Sequence, residues 1–413
     1  MLRNYLLIAT KVLMRRKFFT FISLFGISFT LVVLMVATAM LDNIFGSHAP
    51  EIKTDRTLGV YFMRMHNDEG FNMNGPPGYK FLNTYVRTLP GAEKISIHSV
   101  MQGVDIYKNG EALPLYLKYT DGEFWNIMEF EFIEGRPLTS DDEKNANAVA
   151  VINQATSRQL FGEGSALGKS IDVGGRNYQV VGVVNNVSIL RFTCFSDVWV
   201  PISTQPSSIY KDKFMDNFMA SILAKSPDDL PLIKSDFAAM LTKVELPDKN
   251  LNKLQVNADT FFETISRQLL SGSDQDNRSG MMITIIICIM ILFMILPTIN
   301  LVNINISRII ERSSEIGVRK AFGASSNILV GQFIVENLLL TLVGGIVGFM
   351  LSYFVLQYIN QQALIRYADL QLNVRIFGYG LLTIVFFGLL SGVYPAWKMS
   401  KLNPVDALKG GSK

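Results

Sequence analysis

The sequence predicts a membrane protein with four transmembrane α-helices and a large α/β extracytoplasmic domain between the first and second. Three observations predict it. Four long windows carry no charged residue. Basic residues gather in the short segments beside those windows. The one long segment between windows mixes strand-like alternation with helix signals.

A span needs about 20 mostly apolar residues. Phe18–Leu41, Met281–Ser307, Asn337–Leu364 and Ile376–Trp397 meet that length, at 24, 27, 28 and 22 residues. Lys11, Arg15, Arg16 and Lys17 precede the first window, as they would a secretory signal. The window is longer than a signal's apolar region and lacks a convincing small-residue cleavage site, so it reads as an uncleaved anchor. Residues 1–17 alternate leucines with basic residues, the pattern of an amphipathic helix at a membrane surface.

Orientation follows from the basic flanks. Arg3, Lys11 and Arg15–Lys17 precede the first span; Arg308, Arg312, Arg319 and Lys320 separate the second from the third; Lys398, Lys401, Lys409 and Lys413 follow the fourth. Both termini are therefore expected in the cytoplasm. The expected organisation is 1–17 cytoplasmic segment, 18–41 first helix, 42–280 outer domain, 281–307 second helix and 308–327 cytoplasmic helix. It continues with 328–356 third helix, 357–375 short outer loop, 376–397 fourth helix and 398–413 tail.

Within 42–280, Arg56–Arg64 alternates like a strand, Gly78–Leu89 reads as a helix, and Ala148–Ile152 is a short apolar strand. Asn153–Phe161 reads as a helix capped by Asn153 and ended by Gly162. Ser170–Val173 and Asn177–Val184 flank Gly174–Gly175, a hairpin turn. Asp228–Val244 and Asp259–Leu270 read as helices, and Ser271–Gly280 as a polar linker.

Several chemistries are excluded. Net charge is only +3, too small a bias for nucleic acid. Cys194 and Cys288 are far apart, and the three histidines (His48, His66, His98) lack metal spacing, so no metal site is expected. Gly164–Ser170 imitates a P-loop, but Glu163 stands where its first glycine belongs. Neither HExxH nor G-x-S-x-G occurs, and the run Asp141–Glu143 reads as a solvated loop. No catalytic residue and no cofactor bound by this chain are expected. The spans hold almost no charge, which argues against an ion-driven carrier.

Packing signals do occur in the spans. Pro297 should kink the second helix, and Asn300, Asn303 and Asn305 near its end want partners on another helix. Glu336 lies just inside the third span, where a carboxylate favours the helix start. Gly344, Gly345 and Gly348 let helices approach closely.

The stretch Glu311-Arg312-Ser-Ser-Glu315-Ile-Gly317-Val-Arg319-Lys320-Ala-Phe-Gly323-Ala, followed by Gln332-Phe-Ile-Val-Glu336, resembles the FtsX/MacB permeases of ABC transporters. So does the ending Tyr394-Pro-Ala-Trp-Lys398 through Pro404-Val-Asp-Ala-Leu408. The outer segment resembles a MacB-type periplasmic core at Gly135-Arg136-Pro137, Val149–Asn153, Phe161-Gly162, Gly168-Lys169 and Val180–Val184. The resemblance implies a permease of the bacterial inner membrane that passes ATP-driven motion to its outer domain. It implies a separate cytoplasmic ABC ATPase that binds the ATP, and a second permease, identical or a paralogue. For export it implies a periplasmic adaptor and an outer-membrane duct. Glu311, Arg312, Glu315, Gly317, Arg319, Lys320 and Gly323 would form the ATPase-coupling helix, with Glu315 and Arg319 paired at i,i+4. The work would be export of a peptide or drug, or lipoprotein and envelope work. The alternative is an FtsX-like regulator that gates a periplasmic partner, such as a cell-wall hydrolase, and moves no substrate.

Overall fold

The computed structural model describes residues 2–15, 17–108, 110–248, 250–272, 276–311, 318, 322, 326–375, 377–382, 385, 386 and 389. Contacts divide the chain into two compact units. The helical unit comprises Met1–Leu41, Ile283–Leu364 and Leu370–Lys413; the α/β unit comprises Asp42–Met282 and Ile365–Asp369.

The long helices run over Lys17–Phe45, Ser279–Glu311 and Ser326–Gln361, after a first helix at Leu2–Arg15. Among the described residues, Lys17–Phe45 and Val330–Gln361 are long and apolar enough to cross a membrane, and Ser279–Ile295 is a shorter apolar stretch. The helix at Ser326–Gln361 continues past residue 356 because no glycine–proline signal stops it before Asn360. Most of the fourth apolar window, 376–397, lies outside the described residues.

The strands of the α/β unit are β1 (Thr57–Val60), β2 (Met63–His66), β3 (Asn72–Gly75), β4 (Ala92–Ser99), β5 (Gln102–Lys108) and β6 (Glu111–Thr120). They continue with β7 (Phe132–Gly135), β8 (Val149–Asn153), β9 (Ser170–Val173) and β10 (Arg176–Val184). The last are β11 (Val198–Pro201), β12 (Phe218–Ala224) and β13 (Lys253–Val256). One large sheet has the order β1-β12-β4-β6-β11-β8-β10-β7, with β5 on β6 and β9 on β10. Only β6–β11 and β8–β10 run parallel among its described pairs. A second sheet has the order β13-β2-β3. The Arg56–Arg64 stretch is thus two strands in two sheets. Val60 packs in the large sheet and Met63 in the small one, with the chain turning between them. Gly78–Leu89 is a short helix at Tyr79–Phe81 widening into a π-turn over Leu82–Val86, which buries Phe81, Leu82 and Val86.

Period-2 alternation places residues on both faces of the large sheet. Ala150, Ile152, Val198 and Val200 join the main core on one face. Val151 and Trp199 join Phe124, Trp125 and Phe195 on the other. Both faces are covered, which is why every residue of β11 and β12 is buried. Trp199 is fully buried, donates its Nε1–H to the Cys194 carbonyl at 3.3 Å, and meets the Phe130 ring at 5.3 Å.

Gly135 and Gly182 sit opposite each other where β7 meets β10. A Cβ on Gly135 would lie 2.2 Å from the Val181 carbonyl oxygen, and one on Gly182 2.3 Å from that of Arg136. The backbones approach so closely that a side chain is excluded at either position.

Candidate functional site

Glu311 is the last residue of the Ser279–Glu311 helix. Arg312, Glu315, Gly317, Arg319, Lys320 and Gly323 lie outside the described residues. Two neighbours in that segment are described. The Phe322 N–H donates to the Val318 carbonyl at 3.1 Å, one helical turn. Both side chains are exposed, Phe322 at 88%. Sequence reading weighed only the charges here. The signal it passed over is the i,i+4 spacing of Val318 and Phe322, which puts two apolar groups on one side of a helical turn.

Pro297 and Asn300 both lie within the Ser279–Glu311 helix. Glu336 is buried and accepts from the Gln332 amide at 2.9 Å, an i,i+4 pair on the Ser326–Gln361 helix. Gly344 and Gly348 lie against the Lys17–Phe45 helix. A Cβ on Gly344 would stand 2.8 Å from Ile27, and one on Gly348 2.9 Å from Leu31. Ser28 donates its hydroxyl to the Gly344 carbonyl at 2.9 Å. Ile27, Leu31 and Leu340 form the core beside this contact. Small residues thus permit near backbone contact, and a hydroxyl meets a carbonyl across it.

In the α/β unit the polar side chains are held in networks. Asp197 is fully buried. It accepts from the Tyr116 N–H at 2.8 Å and the Asn153 amide at 2.9 Å, and pairs with Arg366 at 2.9 Å. The Arg366 guanidinium lies over the Tyr116 and Tyr367 rings, and its carbonyl accepts from the Ile189 N–H at 3.0 Å. Sequence reading counted Arg366 only as a loop charge. Its adjacency to Tyr367 in a short segment between apolar runs was the available signal.

A second network joins Glu51, Arg191, Thr193 and Lys118. Arg191 is buried, pairs with Glu51 at 3.0 Å and donates to the Gly46 carbonyl at 2.9 Å. Thr193 donates to the other Glu51 oxygen. Lys118, with no exposure, donates to the Thr193 carbonyl at 2.7 Å. Burial pulls its ammonium down to about 8.

The acidic run is not a solvated loop throughout. Asp141 is exposed, but Asp142 is buried in a capping box with Thr139 at the start of a short helix, Ser140–Lys144. Its carboxylate accepts from Arg136 at 2.6 and 3.2 Å, from Asn147 at 3.0 Å, and from the Thr139 N–H and hydroxyl. Burial alone would raise its pKa; Arg136, Asn147 and Thr139 outweigh it and hold the carboxyl well below the usual range.

The P-loop-like turn offers little to a phosphate. Ala166 donates its N–H to Glu134 at 3.1 Å, Gly168 to the Val180 carbonyl at 2.9 Å and Lys169 to the Ala166 carbonyl at 3.1 Å. The Lys169 ammonium lies over the Phe161 ring at 4.7 Å. A phosphate cradle needs free N–H groups, and here a carboxylate already faces the loop.

Comparison with known proteins finds two family models along the chain. The model of the MacB-like periplasmic core domain matches residues 20–240, and that of the FtsX-like permease C-terminal matches residues 287–404. YknZ of Bacillus subtilis, an uncharacterized ABC transporter permease, is 24% identical over 86% of this chain and 85% of its own length. The macrolide export ATP-binding/permease protein MacB of Campylobacter jejuni is 26% identical over 88% of this chain and 55% of its own length. The chain spans about half the length of such MacB relatives. The crystal structure of the extracellular domain of YknZ aligns over 48% of this chain and 98% of its own, at 18% identity and a TM-score of 0.37.

Proposed function

The chain belongs to the MacB/FtsX family of ABC transporter permeases, and from that membership we propose that it passes ATP-driven motion from a separate cytoplasmic ATPase to its α/β unit. The carrying observation is that one chain holds both the FtsX-like and the MacB-like regions. The described structure supports a mechanical role through connectivity. The chain passes between units at 41/42, 282/283, 364/365 and 369/370, so helix displacements reach the α/β unit through four covalent crossings. Between the last two, the short segment Ile365–Asp369 is held in the α/β unit by the pair of Arg366 with the buried Asp197.

In this reading two permeases, each with four spans and cytoplasmic termini, sit in the inner membrane on two ATPase subunits that bind the ATP. The segment from Glu311 to Gly323 docks in the ATPase, with Val318 and Phe322 entering its surface and the charges setting register. The outer unit then moves its cargo, and the relatives named for macrolide export favour export as the work. Reversing charge at Glu315 or Arg319 (Glu315→Lys, Arg319→Glu) should abolish permease-stimulated ATP turnover in the reconstituted complex, with membrane insertion intact. Stimulation undiminished in both variants would overturn the reading.

A further inference from the structure

The α/β unit holds a groove of about 640 Å³ between its small sheet and the Phe261–Leu269 helix. That size falls within the roughly 300–1,000 Å³ of ligand sites. Sheet register explains the lining. Gln255 of β13, Arg64 of β2 and Asn74 of β3 stand side by side on neighbouring strands. Their neighbours Met63, Met65 and Val256 point to the opposite face and pack in the main core. The small sheet is therefore apolar on its core side and presents a row of amide, guanidinium and amide to the groove, at about 4.8 Å per strand. Asn257 and Gln268 add two more amides to the walls.

The charges in the groove do not cancel. Asp259, the single carboxylate among its lining residues, is held by Arg267 through a fork at 2.8 and 3.1 Å. Arg64 is exposed and has no hydrogen-bond or ion-pair partner among the described residues. One guanidinium fork is thus left facing open space, with four amides in the same lining that each carry donors and an acceptor.

We propose that this groove binds an acidic peptide in extended form, its carboxylate on Arg64 and its peptide groups on the surrounding amides. A guanidinium donates two parallel hydrogen bonds to a carboxylate. An Asn or Gln amide pairs with a peptide unit donor to acceptor. A sugar acid would also suit Arg64, with its hydroxyls on the amide oxygens, and the glucuronate arm of the test separates the two. The proposal stands apart from ATPase coupling, because binding here needs no ATP.

The test is fluorescence anisotropy on the full chain in detergent micelles, with a fluorescein-labelled, capped tetrapeptide Ala-Ala-Asp-Ala. Saturable binding is expected. The Ala-Ala-Asn-Ala analogue and the Arg64→Gln variant should each bind about tenfold or more weakly, the loss of a charge-assisted pair. Arg64→Lys, which keeps charge without the fork, should fall between. Equal binding of the two peptides, unchanged affinity in Arg64→Gln, or no saturation at millimolar peptide would overturn the proposal. Glucuronate displacing the probe as well as unlabelled peptide does would overturn the peptide assignment.

Discussion

In the α/β unit, buried carboxylates are surrounded by donors. Asp121 accepts from Ser96, Ile97 N–H, Phe124 N–H and Arg87; Asp142 and Asp197 are held in the same way. In the helical unit the close contact between the Lys17–Phe45 and Ser326–Gln361 helices is made by Gly344 and Gly348 against Ile27, Ser28 and Leu31. One unit is specified by charge placed in a low-dielectric interior, where each partner lost leaves an expensive remainder. The other is specified by shape, where each added atom must displace a neighbour. The first should respond to pH and to deletion of side chains, the second to added volume. Hydrogen exchange on the intact protein reads each unit separately and can break or sharpen that contrast.

The largest expected effect is Trp199→Ala. Removing this fully buried ring from between Phe130, Trp125 and Cys194 should lower protection across the large sheet by about 3–5 kcal/mol and leave the helices unchanged. Equal loss of protection in the Ser326–Gln361 helix would show that the units unfold as one.

Next comes Asp142→Asn, which removes a charged acceptor from Arg136 and Thr139 and should cost roughly 2–3 kcal/mol at neutral pH. The folded carboxyl keeps its charge to lower pH than the ordinary value of 3.8. Its contribution is therefore whole above that value and drains away as pH falls below it. Wild type and variant should converge in stability toward acid, as followed by urea unfolding at stepped pH. A gap independent of pH would remove charge from the explanation.

The smallest effect is Gly344→Ala, whose new methyl would meet Ile27 at 2.8 Å. About 1–2 kcal/mol should be lost from the helical unit, without pH dependence. Exchange in the Lys17–Phe45 and Ser326–Gln361 helices is the measurement, and unchanged protection there would mean the contact yields freely.

The same contrast explains what the sequence made legible. Apolar windows are a local property, so charge-free runs mark the helices Lys17–Phe45 and Ser326–Gln361 without knowledge of their neighbours. The hairpin turn was legible because Gly174 and Gly175 both take positive φ, at 61° and 83°. Asn153, which accepts from the Thr156 N–H at 2.8 Å, announces its helix locally as well. Arg56–Arg64 was not legible as two strands, because which sheet a strand joins is decided by β12 and β13, far along the chain. Arg366 reads as a surface charge because its partner Asp197 lies far along the chain, whereas the partners of Asp142 are local, and the Thr139–Asp142 spacing is a capping signal that the charge run masked. The proposed coupling residues from Arg312 to Gly323 rest on the family resemblance and lie outside the described residues.

The segment Ile365–Asp369 gives the α/β unit a second, discontinuous piece. The unit therefore has no single pair of cut points in the gene. A fragment cut at 42 and 282 would keep Asp197 with the Tyr116 N–H and the Asn153 amide but without its guanidinium. It would carry a buried anion with two donors left and its counter-charge gone. Swapping the α/β unit between relatives would need the five-residue piece to travel with the rest.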